Sequence, residues 1–548
     1  MDFNINTILS KMTLEEKIGQ MISVGVLEDD CGLPSKNMKK VMETIKPGGI
    51  RIYGNSFLNN TLYFKAAQYI NQIKKWNYEN DSLFLPLIAA DCENGLGSIV
   101  NYGVNFFPFL MGRTAIDSVE MAGKISAALA QEGKAVGLNV IQQPVVDVNT
   151  NPRNPIIGVR SAGDTPEQVI KYTLAQMKAQ QREGVIAVAK HYPGHGDTAI
   201  DSHKELPEIE LEEDKFRELH LKPFQKIIEA GVDAIMTSHI IFNCIDEKNP
   251  ATLSCAVLTE LLRKEQGFEG VVITDGMTMK AITDNYGTGE AAVKSVQAGC
   301  DIVLASGDYD FQMRTYESLI KAAEKNKITK NRIDESVSRI ITLKKKYELT
   351  REKQPDLEPV EPGALFKIVE NNYEISKQAF QKSYTIMGDE KNIFLDKNDT
   401  IFICGSTEVN RVAECLDKEF NNVISFQYHR EEKKIKFSRN YIDKIVNLSE
   451  NANKVMILTF NKGELPAGEI KLIEELNQEK EVVVISLGLP YEFLRLPDDI
   501  GFIATYLKNR RGNPSPLPEA ALEALIQILT GKSQAGGKLP LKDSFAKM

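Results

Sequence analysis

Through the first two thirds of the chain, short apolar runs rich in β-branched residues alternate with stretches whose apolar positions recur every three to four residues. This is the pattern of strands and helices in βαβ units. Eight apolar runs can be counted, at residues 21–26, 49–53, 85–91, 139–149, 185–191, 234–240, 270–275 and 301–306. Eight strands with intervening helices over about 350 residues predict a (β/α)8 TIM-like barrel with some insertions. Several of the runs end in a polar or ionisable residue: Asp91, Asp147, Lys190 with His191, His239 and Asp275. In a barrel of this kind the chemistry sits at those strand ends.

After a helical pattern closing near Tyr347, the stretch REKQPDLEPVEPG is rich in Pro and Glu and reads as an exposed linker. Beyond it, strand candidates at 400–404, 455–460, 481–487 and 501–506 alternate with helices such as 520–530. The expected organisation is a catalytic barrel over residues 1–349, a linker over 350–363 and a smaller α/β sandwich domain over 364–548. A chain of 548 residues exceeds the size at which one core keeps growing, so two domains are the natural reading. No repeat of 20 to 50 residues stands out, which argues against a solenoid or propeller.

Composition narrows the function classes. Hydrophobic residues make up 42% and charged residues 26%, ordinary for a globular protein, and the net charge is -9. An acidic chain without clustered Lys and Arg is poorly suited to phosphate backbones, so nucleic acid is not expected as a partner. The run Lys344, Lys345, Lys346 closes a predicted helix, where cations complement the helix dipole. The seven cysteines are scattered, with Cys92, Cys300 and Cys404 ending apolar runs, and read as reduced thiols. No C-x-x-C pair appears, and neither a metal nor a cofactor is expected. The N-terminus lacks a basic region followed by an apolar one, and no stretch approaches the roughly 20 apolar residues of a membrane span. The expected location is therefore cytoplasmic, without membrane association.

Three of the six histidines fall in one segment, Lys190-His191-Tyr192-Pro193-Gly194-His195-Gly196-Asp197-Thr198-Ala199-Ile200-Asp201-Ser202-His203. It leaves a strand, passes through Gly and Pro and carries several ionisable groups, as an active-site loop does. Its spacing matches no common zinc signature. His195 reads equally well as a loop hydrogen-bond donor and as a chemical group. Asp201 and His203 differ, because a carboxylate beside an imidazole fixes its tautomer and stabilises its protonated form. Asp275 ends the run GVVIT and precedes a helical pattern, so it reads either as a strand-mouth catalytic carboxylate or as a helix N-cap. Asp91 and Asp147 carry the same ambiguity between ligand hydroxyls and loop amides.

Taken together, MTLEEKIGQM, PGGIRIYG, DVNTNPRNPIIGVRSAG, KHYPGHGDTAIDSHKELP, NPATLSCAVLTELLRKEQGFEGVVITDGMTMKAI and the closing TGKSQAGGKLPL resemble glycoside hydrolase family 3, in its β-N-acetylglucosaminidase branch. The resemblance implies a retaining glycosidase acting on a carbohydrate, with Asp275 as nucleophile and His203, oriented by Asp201, as acid/base. It also implies that Asp91, Arg160, Lys190 and His191 hold the sugar hydroxyls of the terminal residue. Two runs depart from the family pattern: Asp91-Cys92-Glu93-Asn94-Gly95 where Asp-Gln-Glu-Gly-Gly is common, and Arg160-Ser161-Ala162-Gly163 where Arg-Ser-Phe-Gly is common. Three readings compete. A β-glucosidase or β-xylosidase of the family takes its acid from a glutamate of the second domain, whereas DTAIDSH supplies one from the barrel. A phosphorylase is suggested by the same histidine, since an imidazole does not repel an incoming phosphate dianion as a carboxylate does. A non-catalytic sugar-binding barrel would need neither nucleophile nor dyad.

Overall fold

The computed structural model describes residues 4–53, 63–100, 102–202, 205–353, 361–428, 437–461, 465–508 and 516–542. His203 and residues 354–360, the middle of the expected linker, lie outside the described residues. The chain forms two compact units: one comprises residues 1–105, 126–148 and 169–372, the other 106–125, 149–168 and 373–548.

The first unit is built on eight parallel strands: β1 (Ile22–Gly25), β2 (Gly49–Ile52), β3 (Leu87–Ala90), β4 (Val140–Ile141), β5 (Ile186–Tyr192), β6 (Ala234–Thr237), β7 (Val271–Ile273) and β8 (Val303–Ala305). Seven of the eight apolar runs contain one of them whole, and the run at 185–191 contains β5 up to its last residue. They pair in the order β8-β1-β2-β3-β4-β5-β6-β7. Between β7 and β8 the ladder is reduced to a single parallel bridge, Ile273 to Ile302, which brings the sheet round into a barrel. Because the strands are parallel and alternate with helices on the outside, both faces are covered and the strands are buried throughout, which is why they read as continuous apolar runs.

Strand β4 is two residues long where the run at 139–149 suggested eleven. Past Ile141 the chain leaves the regular ladder at Gln142 and Pro144, and Val145 meets Lys190 only in an isolated bridge. Pro144 has no N–H to give, so the amide of Val146 closes the gap by donating to the Lys190 carbonyl at 2.6 Å. The lysine run does end a helix, Lys330–Lys346. Lys344, however, is fully buried, with its Nζ 2.7 Å from Gln20 Oε1, and burial pushes its ammonium down to about 7.

The second unit holds a six-stranded sheet: β9 (Thr385–Gly388), β10 (Ile401–Gly405), β11 (Val423–Gln427), β12 (Lys454–Thr459), β13 (Glu481–Ser486) and β14 (Gly501–Ala504), ordered β9-β14-β13-β12-β10-β11. All pairs are parallel except β9 with β14. Its side chains alternate between two cores. Ile401, Ile403, Met456, Leu458, Val483 and Ile485 pack with the helix Glu519–Leu529 on one face. Phe402, Cys404, Val455, Ile457, Val482 and Val484 pack with Leu472 and Ile473 of the helix Ala467–Leu476 on the other. This is a three-layer α/β sandwich. The two strands not anticipated, β9 and β11, are both edges. Strand β11 is not buried at any of its five positions, and its apolar residues Val423, Ile424 and Phe426 are interrupted by Ser425.

None of the seven cysteines is paired, and Cys92, Cys300 and Cys404 are buried as their positions at apolar strand ends suggest. Among the described residues no helix is long and apolar enough to cross a membrane, and no cluster of three His, Cys, Asp or Glu side chains is arranged to hold a metal ion.

Candidate active site

All eight strands of the first unit point the same way, so their C-terminal ends share one mouth. At that mouth β2, β3 and β5 build a compact ionic cluster. Lys190, near the end of β5, is buried and places its Nζ 2.5 Å from Asp91 Oδ1 and 2.7 Å from Glu93 Oε1. Arg51, the third residue of β2, donates from Nη2 to Asp91 Oδ2. Two cations are thus matched by two carboxylates. The Asp91 side chain remains 41% exposed at the mouth, while Lys190 is held almost entirely from solvent.

The next residue, His191, is tied to Asp147. Its Nδ1 donates to Asp147 Oδ2 at 2.8 Å and its backbone N–H to Oδ1 at 3.2 Å. The backbone N–H of His195 donates to the same Oδ1 at 2.7 Å. Asp147 is fully buried. Burial alone would raise its carboxyl, but the charge and hydrogen bonds of His191 outweigh that and hold it below the ordinary value. Of the two readings open for Asp147, the structure shows it satisfying loop amides and fixing the His191 ring so that Nε2 faces away from the carboxylate.

The loop that follows folds back on itself. His195 Nε2 lies 3.0 Å from Ser202 Oγ and its Nδ1 3.2 Å from Thr198 Oγ1, so His195 acts here as a buried loop-holding group. Asp201 is half-buried beside Ser202, and its expected partner His203 lies outside the described residues.

Asp275 follows β7 at the same mouth and is half-buried. The helix after it, Lys280–Tyr286, starts from Met279, so Asp275 is not its N-cap. The carboxylate instead accepts from the Gly276 N–H at 2.7 Å. Two neighbours record how close the pieces come. Burial raises the Tyr53 hydroxyl, Arg51 opposes that shift, and Asp91 and Asp275 both add to it. The His239 imidazole, at the end of β6, is lowered by burial and senses both Asp275 and His191. Asp91, Lys190, His191 and Asp275 are therefore gathered at one end of the barrel. Beside them opens a cavity of about 810 Å³ lined by Glu28, Tyr53, Thr278, Ser306, Asp308 and Tyr309 among others.

Arg160 belongs to the second unit, at the end of the 3-10 turn Gly158–Arg160, with its Nη1 3.3 Å from the Ile156 carbonyl. Two members of the mouth cluster, Arg51 and Glu93, had not been singled out from sequence. The signal was present for Arg51, since a lone cation inside GIRI cannot face an apolar core and must face the mouth. Glu93 sits in a turn, where a polar residue carries no such message.

Fixed donors and acceptors thus stand beside the Asp275 carboxylate at the mouth, and the chain resembles known proteins. A model of the glycosyl hydrolase family 3 N-terminal domain matches residues 13–343. Beta-hexosaminidase A of Pseudoalteromonas piscicida is 32% identical over 368 residues, an alignment that spans 61% of this chain and 61% of that relative's length. A beta-hexosaminidase of Neisseria meningitidis is 33% identical over 254 residues, 44% of this chain and 69% of the relative. Among solved structures, a family 3 beta-N-acetylglucosaminidase from a Paenibacillus species superposes with a TM-score of 0.83 at 29% identity, covering 97% of this chain and 99% of that one. A beta-glucoside phosphorylase shares the fold, with a TM-score of 0.81 at 23% identity over 99% and 96% of the two chains. With the family model covering more than half of its length and the eight-stranded barrel in place, the chain belongs to glycosyl hydrolase family 3.

Proposed function

We propose that the protein is a retaining exo-glycosidase that releases terminal β-linked N-acetylglucosamine. Asp275 attacks the anomeric carbon and forms a glycosyl ester as the glycosidic bond breaks. His203, oriented by Asp201, gives its proton to the departing oxygen. In the second step His203 takes a proton from water, whose oxygen displaces Asp275 and restores the β-configuration. Asp91, Arg160, Lys190 and His191 hold the hydroxyls of the terminal sugar, and no metal or cofactor is called on.

The observation that supports this best is the grouping of Asp91, Lys190 and His191 with Asp275 at one barrel mouth. The likeness to a solved beta-N-acetylglucosaminidase along 97% of the chain points to the same sugar. The expected natural substrates are cell-wall muropeptide fragments met in the cytoplasm, with chitin oligosaccharides as the alternative.

The test is release of nitrophenol from the β-N-acetylglucosaminide. Asp275→Ala should lower kcat by at least about 10⁴-fold, and His203→Ala by about 10²- to 10⁴-fold. Faster turnover of the corresponding glucoside would sink the sugar assignment. Phosphorolysis is a second reading because the acid/base is an imidazole. Running the reaction in phosphate decides it: N-acetylglucosamine 1-phosphate among the products identifies a phosphorylase, and free sugar alone a hydrolase.

A further inference from the structure

Beneath Asp275 lies a chain of hydrogen bonds that the chemistry above does not use, and it involves the motif NPATLS, to which no role was given. After β6 the chain runs through Ser238 and His239, and the segment around Thr252 returns alongside. The Ala251 N–H donates to the Ile240 carbonyl at 2.8 Å and the Thr252 N–H to the Ser238 carbonyl at 3.2 Å. That return sets Thr252 between Thr237 and His239. The Asp275 N–H faces Thr237 Oγ1 at 3.4 Å, and Thr237 Oγ1 lies 2.7 Å from Thr252 Oγ1. Thr252 Oγ1 lies 2.8 Å from His239 Nδ1, and His239 Nε2 lies 3.1 Å from the Gly276 carbonyl oxygen. The circuit leaves the backbone at Asp275 and rejoins it at Gly276. Thr237, Thr252 and His239 are all buried.

The protons can be assigned. A carbonyl only accepts, so Nε2 of His239 carries hydrogen. Burial disfavours the charged ring, so Nδ1 is bare and accepts from Thr252. Thr252 in turn accepts from Thr237, and Thr237 from the Asp275 N–H. Each donor in the series gives one hydrogen in one direction. The Ser238 carbonyl, 2.9 Å from Thr252 Oγ1, competes for the same hydrogen, and giving it up to Ser238 would require a doubly protonated, buried imidazole.

We propose that His239, held by Thr252, is a positioning residue for the nucleophile, an inference that rests on Asp275 filling that role. Gly276 has no side chain to restrain it, yet its N–H is a donor to Asp275 Oδ1. The circuit grips the backbone on both sides of that donor, at the Asp275 N–H and the Gly276 carbonyl. It thereby fixes the direction of the carboxylate without touching substrate. Attack on the anomeric carbon is sensitive to misplacement, a 1 Å error costing on the order of 10²-fold in rate.

The experiment compares His239→Phe and Thr252→Val, which break the circuit with little change in volume, with His239→Gln and Thr252→Ser, which keep a donor to Gly276 and a hydroxyl respectively. The readouts are the pre-steady-state burst rate, kcat/KM, inhibition by N-acetylglucosamine and the melting temperature. His239→Phe and Thr252→Val should slow formation of the glycosyl-enzyme about 10- to 100-fold. Inhibition by the free sugar should stay within about twofold, since ground-state binding is untouched. The loss should be as large with a dinitrophenyl leaving group, which needs no acid, as with a mononitrophenyl one. His239→Gln and Thr252→Ser should recover most of it. A folded His239→Phe with an unchanged burst rate overturns the proposal, as does a deficit that vanishes with the better leaving group. If Thr252→Val does not fold, the pair His239→Phe and His239→Gln decides alone. An Asp275→Ala enzyme that still hydrolyses overturns the nucleophile assignment and this proposal with it. An inactive Asp275→Ala beside an unaffected His239→Phe overturns this proposal only.

Discussion

Lys190 has two carboxylate partners, Asp91 and Glu93, whereas Asp91 is shared with Arg51. Removing the lysine therefore takes one cation from two carboxylates at once, while removing Glu93 still leaves Lys190 with Asp91. Lys190→Met should cost more stability than Glu93→Gln, by about 1–3 kcal/mol in urea denaturation, and should also raise KM. Equal losses would show that Glu93 does not depend on the lysine. At this scale the sequence was most telling where chemistry and strand ends coincide, as at Asp91, Lys190, His191 and Asp275. It left Asp147 undecided between ligand and loop, because a carboxylate's partners are set by which amides the fold brings to it. Three amide or imidazole donors from residues 191 and 195 meet there, and no local pattern foretells that.

Among the elements, the eight barrel strands were legible because burial on both faces leaves each one apolar throughout. The central strands of the second sheet were legible for the same reason, and its edges were not. The helix Lys330–Lys346 shows the limit of reading charge from sequence. Three consecutive lysines look alike in the chain, but successive helix positions are 100° apart, so the three face different sides of the helix and one of them turns inward. That residue is Lys344, whose folded value of about 7 lies well below that of an unfolded lysine. The unfolded chain therefore binds more protons between about pH 7 and 10.5, and stability from this group rises with pH across that window. Lys344→Met should stabilise the protein by on the order of a few kcal/mol at pH 7, partly offset by the loss of Gln20's partner. The gain should shrink toward pH 10, as read from melting temperatures at the two values. A gain that does not vary with pH would mean that Lys344 stays protonated in the folded protein at both.

For the molecule as a whole, each compact unit hides a carboxyl group of the opposite habit. Glu132, among Asn105 and Asn372 in the first unit, is raised by burial to about 7. Glu492 in the second, raised by burial and by the nearby Glu469, also reaches about 7 while accepting from Thr459 and the Asn461 N–H. A carboxyl with a raised folded value contributes stability in full below about pH 4.5 and loses it as pH climbs through 7. With Lys344 acting above 7, these three groups together bend the stability curve toward a shallow minimum near neutrality. Glu492→Gln keeps a neutral acceptor for the Asn461 N–H and reverses the contact with Thr459, its amide N–H donating to the hydroxyl oxygen. It should match wild type near pH 4.5 and exceed its melting temperature near pH 8. A variant less stable than wild type at both values would assign Glu492 a charged role in the fold.

The barrel's closure carries one more consequence. Where β7 and β8 meet, one bridge is joined by backbone bonds from the Asp301 and Ile302 N–H groups to the Val272 carbonyl and from the Thr274 N–H to the Ile302 carbonyl, and by stitches from side chains: Asp301 Oδ2 accepts from the Val272 N–H, and Thr274 Oγ1 from the Leu304 N–H. Breathing motions of the barrel should concentrate at this seam, and amide hydrogens there should exchange with deuterated solvent ahead of those in β2 and β3. Since the seam runs up to Asp275, the strand that presents the proposed nucleophile is also the one on which early exchange is expected.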